Sequence, residues 1–215
     1  MTMQDKIIIA VITVAATFLT NLIFHYLKNK LDLFEDKRKF KREHSYNQLK
    51  ELYLELYGIV SQSEYVRYFE KRHSGQETPF EEYPFIELTS KRVKEVRNLI
   101  TNRVTKRTEE VIHNAITDFN KLAIAEKIID KKEFSTQKLL KLAVAYRFCH
   151  EYSQFDWEDE ERKQAFEKEE VELIANIVKT VIKECNQMLE TCHLDYDSKE
   201  LGNGFMDYSF LNRKD

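Results

Sequence analysis

Ile7-Ile8-Ile9-Ala10-Val11-Ile12-Thr13-Val14-Ala15-Ala16-Thr17-Phe18-Leu19-Thr20-Asn21-Leu22-Ile23-Phe24-His25-Tyr26-Leu27 holds no Asp, Glu, Lys or Arg and no Gly or Pro. As a helix rising 1.5 Å per residue, this run is long enough to cross a bilayer core of about 30 Å. Residues 7–27 are therefore read as a transmembrane helix after a short tail, 1–6. Two other readings fit the run less well. A cleaved secretory signal wants a basic start, a shorter apolar run and a small-residue cleavage site. Here Asp5 and Lys6 nearly cancel, and the run ends in bulky Phe24 to Leu27. A core helix of a soluble domain seldom opens a chain with so long an uncharged run. Thr13, Thr17 and Thr20 are compatible with lipid, because a threonine hydroxyl bonds back to its own helix carbonyls. Asn21 and His25 stand four apart on one face, as headgroup-level residues or as a polar seam between two copies. Tyr26 suits an interfacial anchor.

The flanks set the expected orientation. Lys28, Lys30, Lys37, Arg38, Lys39, Lys41 and Arg42 follow the span, and only Lys6 precedes it. The positive-inside rule puts the basic side in the cytoplasm, with the amino terminus outside. The juxtamembrane segment 28–44 thus meets the lipid bilayer, where each cation near anionic headgroups is worth about 1 kcal/mol. Three cysteines, Cys149, Cys185 and Cys192, show no disulfide-like spacing, in keeping with a reducing compartment.

The remainder has a composition that favours long helices: 4 Gly and 2 Pro in 215 residues, with 33% charged residues. The expected fold class is all-α, a transmembrane helix followed by a cytosolic antiparallel four-helix bundle over 45–194 and a tail, 195–215. No sustained alternation of period two is present, so essentially no sheet is expected. The first cytosolic helix is placed at 43–72, on Leu49, Leu52, Leu56, Ile59, Ser63 and Val66, whose alternating steps make a heptad-like seam. The segment before it can carry the membrane helix on into this one. Residues 73–89 hold Gly75, Pro79 and Pro84 with Phe80, Tyr83, Phe85 and Ile86, a loop too apolar to be free and expected to pack on the domain. A helix capped by Ser90 is expected to run to about 129, with room for a break, on Val104, Thr108, Val111, Ala115 and Phe119. A shorter one, 137–152, is capped by Ser135. It is apolar on nearly every side and is expected at the centre. The last helix, 157–192, has acidic residues at its start and Ile174, Val178, Val181, Cys185, Met188 and Cys192 along its seam. The aromatic tail is either disordered or docked on the domain or a partner.

Chemical signatures are sparse. Cys149-His150 and Cys192-His193 lack the two-to-four-residue spacer of structural zinc, so no metal and no cofactor is expected. No Walker loop, dinucleotide fingerprint, Gly-x-Ser-x-Gly, His-Glu-x-x-His or calcium loop occurs. The net charge of −3 excludes a generally basic nucleic-acid binder. A local basic run remains from Lys91 to Arg107, and its charges spread around several helix faces.

Arg followed six residues later by His occurs at Arg38 and His44, Arg67 and His73, and Arg107 and His113. In its helical character and this spacing the chain resembles the HEPN nucleases, helical domains with an Arg, four to six residues, then a His, often assembled across a dimer. The resemblance implies RNA cleavage, with Arg holding the scissile phosphate and His moving a proton. It falls best on Arg107 and His113, with Thr108 as the polar residue after the Arg. On an unbroken helix the two side chains diverge by about 120°, and solvated charges explain them equally well. The reading is a membrane-anchored interaction or assembly module, self-associating or bound to another protein. Its rival is a membrane-anchored RNA-cleaving effector of bacterial stress or phage defence.

Overall fold

A computed structural model describes residues 3–75, 77–97, 104–112, 114–154 and 159–212. The chain divides into two compact units, 1–45 and 46–215.

The first unit is helix. Helix α1 spans Met3–Gln48. One stretch of it is long and apolar enough to cross a membrane, and none of that stretch is buried. Phe18 is 63% and Phe24 67% exposed. Thr13, Thr17 and Thr20 each donate a hydroxyl hydrogen bond to the carbonyl four residues back, at 2.8 Å.

The second unit is mostly helical and holds one apolar core. A π-helical turn, Leu49–Tyr53, leads into α2, Leu54–Ser74. The seam expected here is buried as far as Ser63: Leu49, Leu52, Leu56, Ile59 and Ser63 lie inside, with Tyr53 and Val60 beside them, and Val66 is half-buried. The π turn adds a residue to the helical period, and Leu49, Leu52 and Tyr53 all reach the core. Helices α3 (Lys121–Asp130), α4 (Gln137–Ser153) and α5 (Glu160–Thr191) supply most of the rest. Helix α5 buries Ile174, Val178, Val181, Cys185 and Met188, the expected stripe. The caps follow side-chain chemistry. Asn120 accepts from Ala123 N, Thr136 from Leu139 N, and Asp159 from Arg162 N. Thr136, not Ser135, caps α4; the Ser135 hydroxyl is turned to the Lys132 carbonyl. Asp156, Trp157 and Glu158 lie outside the described residues.

Two further expectations are corrected, the first together with the expectation of essentially no sheet. First, no helix runs from Ser90 to 129. Lys91–Arg97 (β1) and Val104–Val111 (β2) form an antiparallel hairpin. It is closed at its base by the Ile112 N–H donating to the Ser90 carbonyl at 2.8 Å. β-branched Val93, Val96, Val104, Thr105, Thr108 and Val111 suit the extended backbone. In the hairpin Arg92 stands opposite Glu110 and Glu95 opposite Arg107, and Lys94 Nζ lies 3.7 Å from Glu110. The register shifts between Val96 and Arg97, where the second strand carries an extra residue. Second, α4 is not central. Leu139, Ala143, Tyr146 and Cys149 are buried, while Val144 is 45% and Phe148 50% exposed.

The loop after α2 packs on the core through buried Phe80 and Phe85, as expected. The tail is docked on the domain. It forms a short helix, α6 (Ser198–Asn203), then an irregular stretch in which Phe205 meets Phe80 edge-on, ring centres 5.0 Å apart. Gly204 turns the chain in the left-handed region, φ 76°.

Candidate functional site

A cleft of about 880 Å³ opens between the end of α2, the loop after it and the docked tail. Its floor is set by Arg67. The guanidinium donates to the Thr78 carbonyl at 2.6 Å and the Tyr83 carbonyl at 2.5 Å, and it pairs with Glu64 at 3.3 Å. Arg67 also stacks over the Phe80 ring, 5.4 Å from its centre. Burial raises the Glu64 carboxyl above the usual range, and the guanidinium opposes that rise. Lys71 is held by Glu77 at 2.6 Å, and Arg72 donates to the Tyr68 hydroxyl at 3.0 Å. On the tail side the Tyr208 hydroxyl donates to the Ser61 carbonyl at 2.6 Å, and the Ser61 hydroxyl lies 2.7 Å from it. Asp207 accepts from Lys199 Nζ at 2.7 Å and Ser209 N at 2.8 Å, which together lower its pKa to about 2. Arg67, Lys71 and Arg72 thus hold groups of the chain itself, and the cleft wall is built from these contacts.

Elsewhere among the described residues three part-buried carboxylates each accept from a tyrosine hydroxyl, and a fourth such pair, Tyr196 with Glu190, is exposed. Glu200, 4% exposed, accepts from the Tyr57 hydroxyl at 2.6 Å, Asn186 Nδ2 at 2.9 Å and Asp207 N at 2.9 Å. Its charge is met by hydrogen-bond donors, the arrangement a buried anion requires. Glu184 accepts from Tyr53 at 2.7 Å and from the Thr136 hydroxyl at 3.0 Å. Glu170 accepts from Tyr146 at 3.1 Å. Burial raises all three phenols well above their ordinary value, and the facing carboxylates add to it. At Glu170 a histidine joins: His150 Nδ1 lies 3.1 Å from the carboxylate and Nε2 lies 3.0 Å from Gln154 Nε2. A nucleophile would have to stand at that outer nitrogen. The neighbouring Ser153 hydroxyl instead donates to the His150 carbonyl at 2.9 Å. The geometry is that of an orienting network.

The residues singled out from sequence are dispersed. Arg107 lies on β2, opposite Glu95, and His113 lies outside the described residues. Arg67 holds the loop, while the His73 ring lies tilted against Phe69 with ring centres 4.4 Å apart. His44 stacks on Phe40 in α1. The basic residues Lys28, Lys30, Lys37, Arg38, Lys39, Lys41 and Arg42 ride on α1, and Lys30 lies over the Tyr26 ring at 4.9 Å. Asn21 and His25 are exposed one turn apart. Cys149 and Cys185 are buried, and burial raises both thiols, Cys185 to about 12. Glu200, Asn186 and Glu184 went unnoticed in the sequence, where nothing marks them off from the other polar residues around them. No family model, no curated protein and no solved structure matches the chain.

Proposed function

We propose that the chain is a single-pass membrane protein whose helical second unit works as an assembly or interaction module in the cytoplasm. Residues 7–27 cross the cell membrane with the amino terminus outside. The module is read as a four-helix bundle of α2, α3, α4 and α5.

One observation carries the reading. The uncharged run lies on α1 with its described apolar side chains in the open. Each large apolar side chain left in water forgoes about 1.5–3 kcal/mol of burial, and lipid removes that cost at every position of the run. Its threonine hydroxyls already have partners within the helix, as hydrocarbon requires. The basic flank supports the orientation. The interaction role rests on the second unit: its polar clusters hold groups of the chain itself, which suits a scaffold. Membranes from cells making the full chain test the proposal. The protein is expected to stay in the pellet through an alkaline wash and to leave it in detergent. Removal of residues 2–27 is expected to move it to the supernatant. Full-length protein recovered in the supernatant without detergent would overturn the reading.

A further inference from the structure

The face of α1 that bears the membrane run continues past it. Thr13, Thr17 and Thr20 are followed by Phe24, Leu27, Leu31 and Phe34, and the steps alternate between four and three throughout. That is the spacing of a seam between two helices. All seven are exposed. The stripe opens on small side chains and turns large at Phe24, still inside the uncharged run. In lipid, helices associate through small side chains that let backbones approach. The threonines are small, and their hydroxyls are occupied at 2.8 Å by their own helix. Leu31 and Phe34 lie beyond the uncharged run, among Lys28, Lys30, Asp32 and Glu35, yet they are 62% and 65% exposed. A partner helix laid along the stripe would cover them.

We propose that the stripe is covered by the same stripe of a second copy of this chain, the two α1 helices running parallel. The proposal rests on the membrane reading, since insertion in one sense makes the pair parallel. Charge selects the occupant. With Leu31 and Phe34 in the seam, Lys30 and Glu35 flank it on opposite sides. In a parallel pair these flanking positions face each other five residues apart. Lys30 of each copy then meets Glu35 of the other. Within one helix the two cannot meet, because five residues turn the side chains about 140° apart. One heptad further on, Lys37 would face Arg42, and Arg38 and Lys41 would occupy the seam. The pairing therefore ends after Phe34. Asn21 borders the stripe, whereas His25 points about 130° away from it, so the seam is distinct from an Asn21–His25 face.

The test uses full-length protein in native membranes, with Cys192→Ser removing the least buried natural thiol. Leu31→Cys puts a thiol in the seam, and Asn29→Cys puts one on the opposite face. After mild oxidation the Leu31→Cys protein is expected as a disulfide dimer, and the Asn29→Cys protein as monomer. Lys30→Glu is expected to lower the dimer yield about fivefold, the effect of two surface pairs lost together. Glu35→Lys added to it is expected to restore the yield. Membrane-bound protein that cross-links equally at both positions, or at neither, would overturn the pairing and leave the membrane reading standing. Absence of rescue by the double charge exchange would also overturn it. Protein in the supernatant would overturn both.

Discussion

Gly204 and Gly58 respond oppositely to a methyl group. At Gly204 the backbone is left-handed, and an added Cβ would lie 2.8 Å from Lys183 Cε and 3.3 Å from the Lys179 carbonyl. Gly204→Ala is expected to cost about 1–2 kcal/mol. Gly58 stands inside α2 with nothing within 4 Å of such an atom. Gly58→Ala is expected to add about 0.5–1 kcal/mol. Chemical denaturation of the two variants checks both signs. The cysteines differ likewise. With Cys149 and Cys185 buried and their thiols raised, a thiol reagent is expected to label Cys192 first and the other two only on unfolding. Mass spectrometry of partly labelled protein shows the order. At this scale the sequence was legible where one helix decides the environment: Cys185 sits on a seam that periodicity reveals. Glu200 was illegible, because its burial depends on a phenol 143 residues away.

Between elements, Arg67 ties the loop after α2 to that helix. Arg67→Ala removes its bonds to Thr78 and Tyr83 and leaves Glu64 buried without its cation. The expected cost is about 3 kcal/mol, with faster hydrogen exchange across 78–86. The tail depends on acid. Because Asp207 has its pKa lowered to about 2 from an ordinary 3.8, its contribution is in place above 3.8 and is lost as pH falls toward 2. Ring signals of Phe205 and Tyr208 are expected to shift through that window, and Lys199→Met to move the midpoint upward. The long helices were readable because α2 and α5 keep one apolar stripe apiece. The hairpin was not, because its pattern is one of charge across strands and not of apolar alternation along them. The π turn leaves no mark in composition.

Over the whole molecule, composition and one uncharged run announced a mostly helical chain with an apolar helix near its start, and the structure agrees on both. The partner set did not follow, since charge and periodicity describe surfaces without naming what meets them. Deleting residues 2–27 is expected to leave the thermal unfolding of the second unit within a few degrees of the full chain, because residues 46–215 hold the core as a compact unit of their own. Calorimetry of the two proteins decides it. The order of synthesis then matters. Tyr57 is translated long before Glu200. A chain made only as far as the loop after α2 has a phenol without its acceptor and a Phe80 without its cover. The packing around Phe80 and Tyr57 is complete only once translation has passed Phe205, long after the apolar helix has been made.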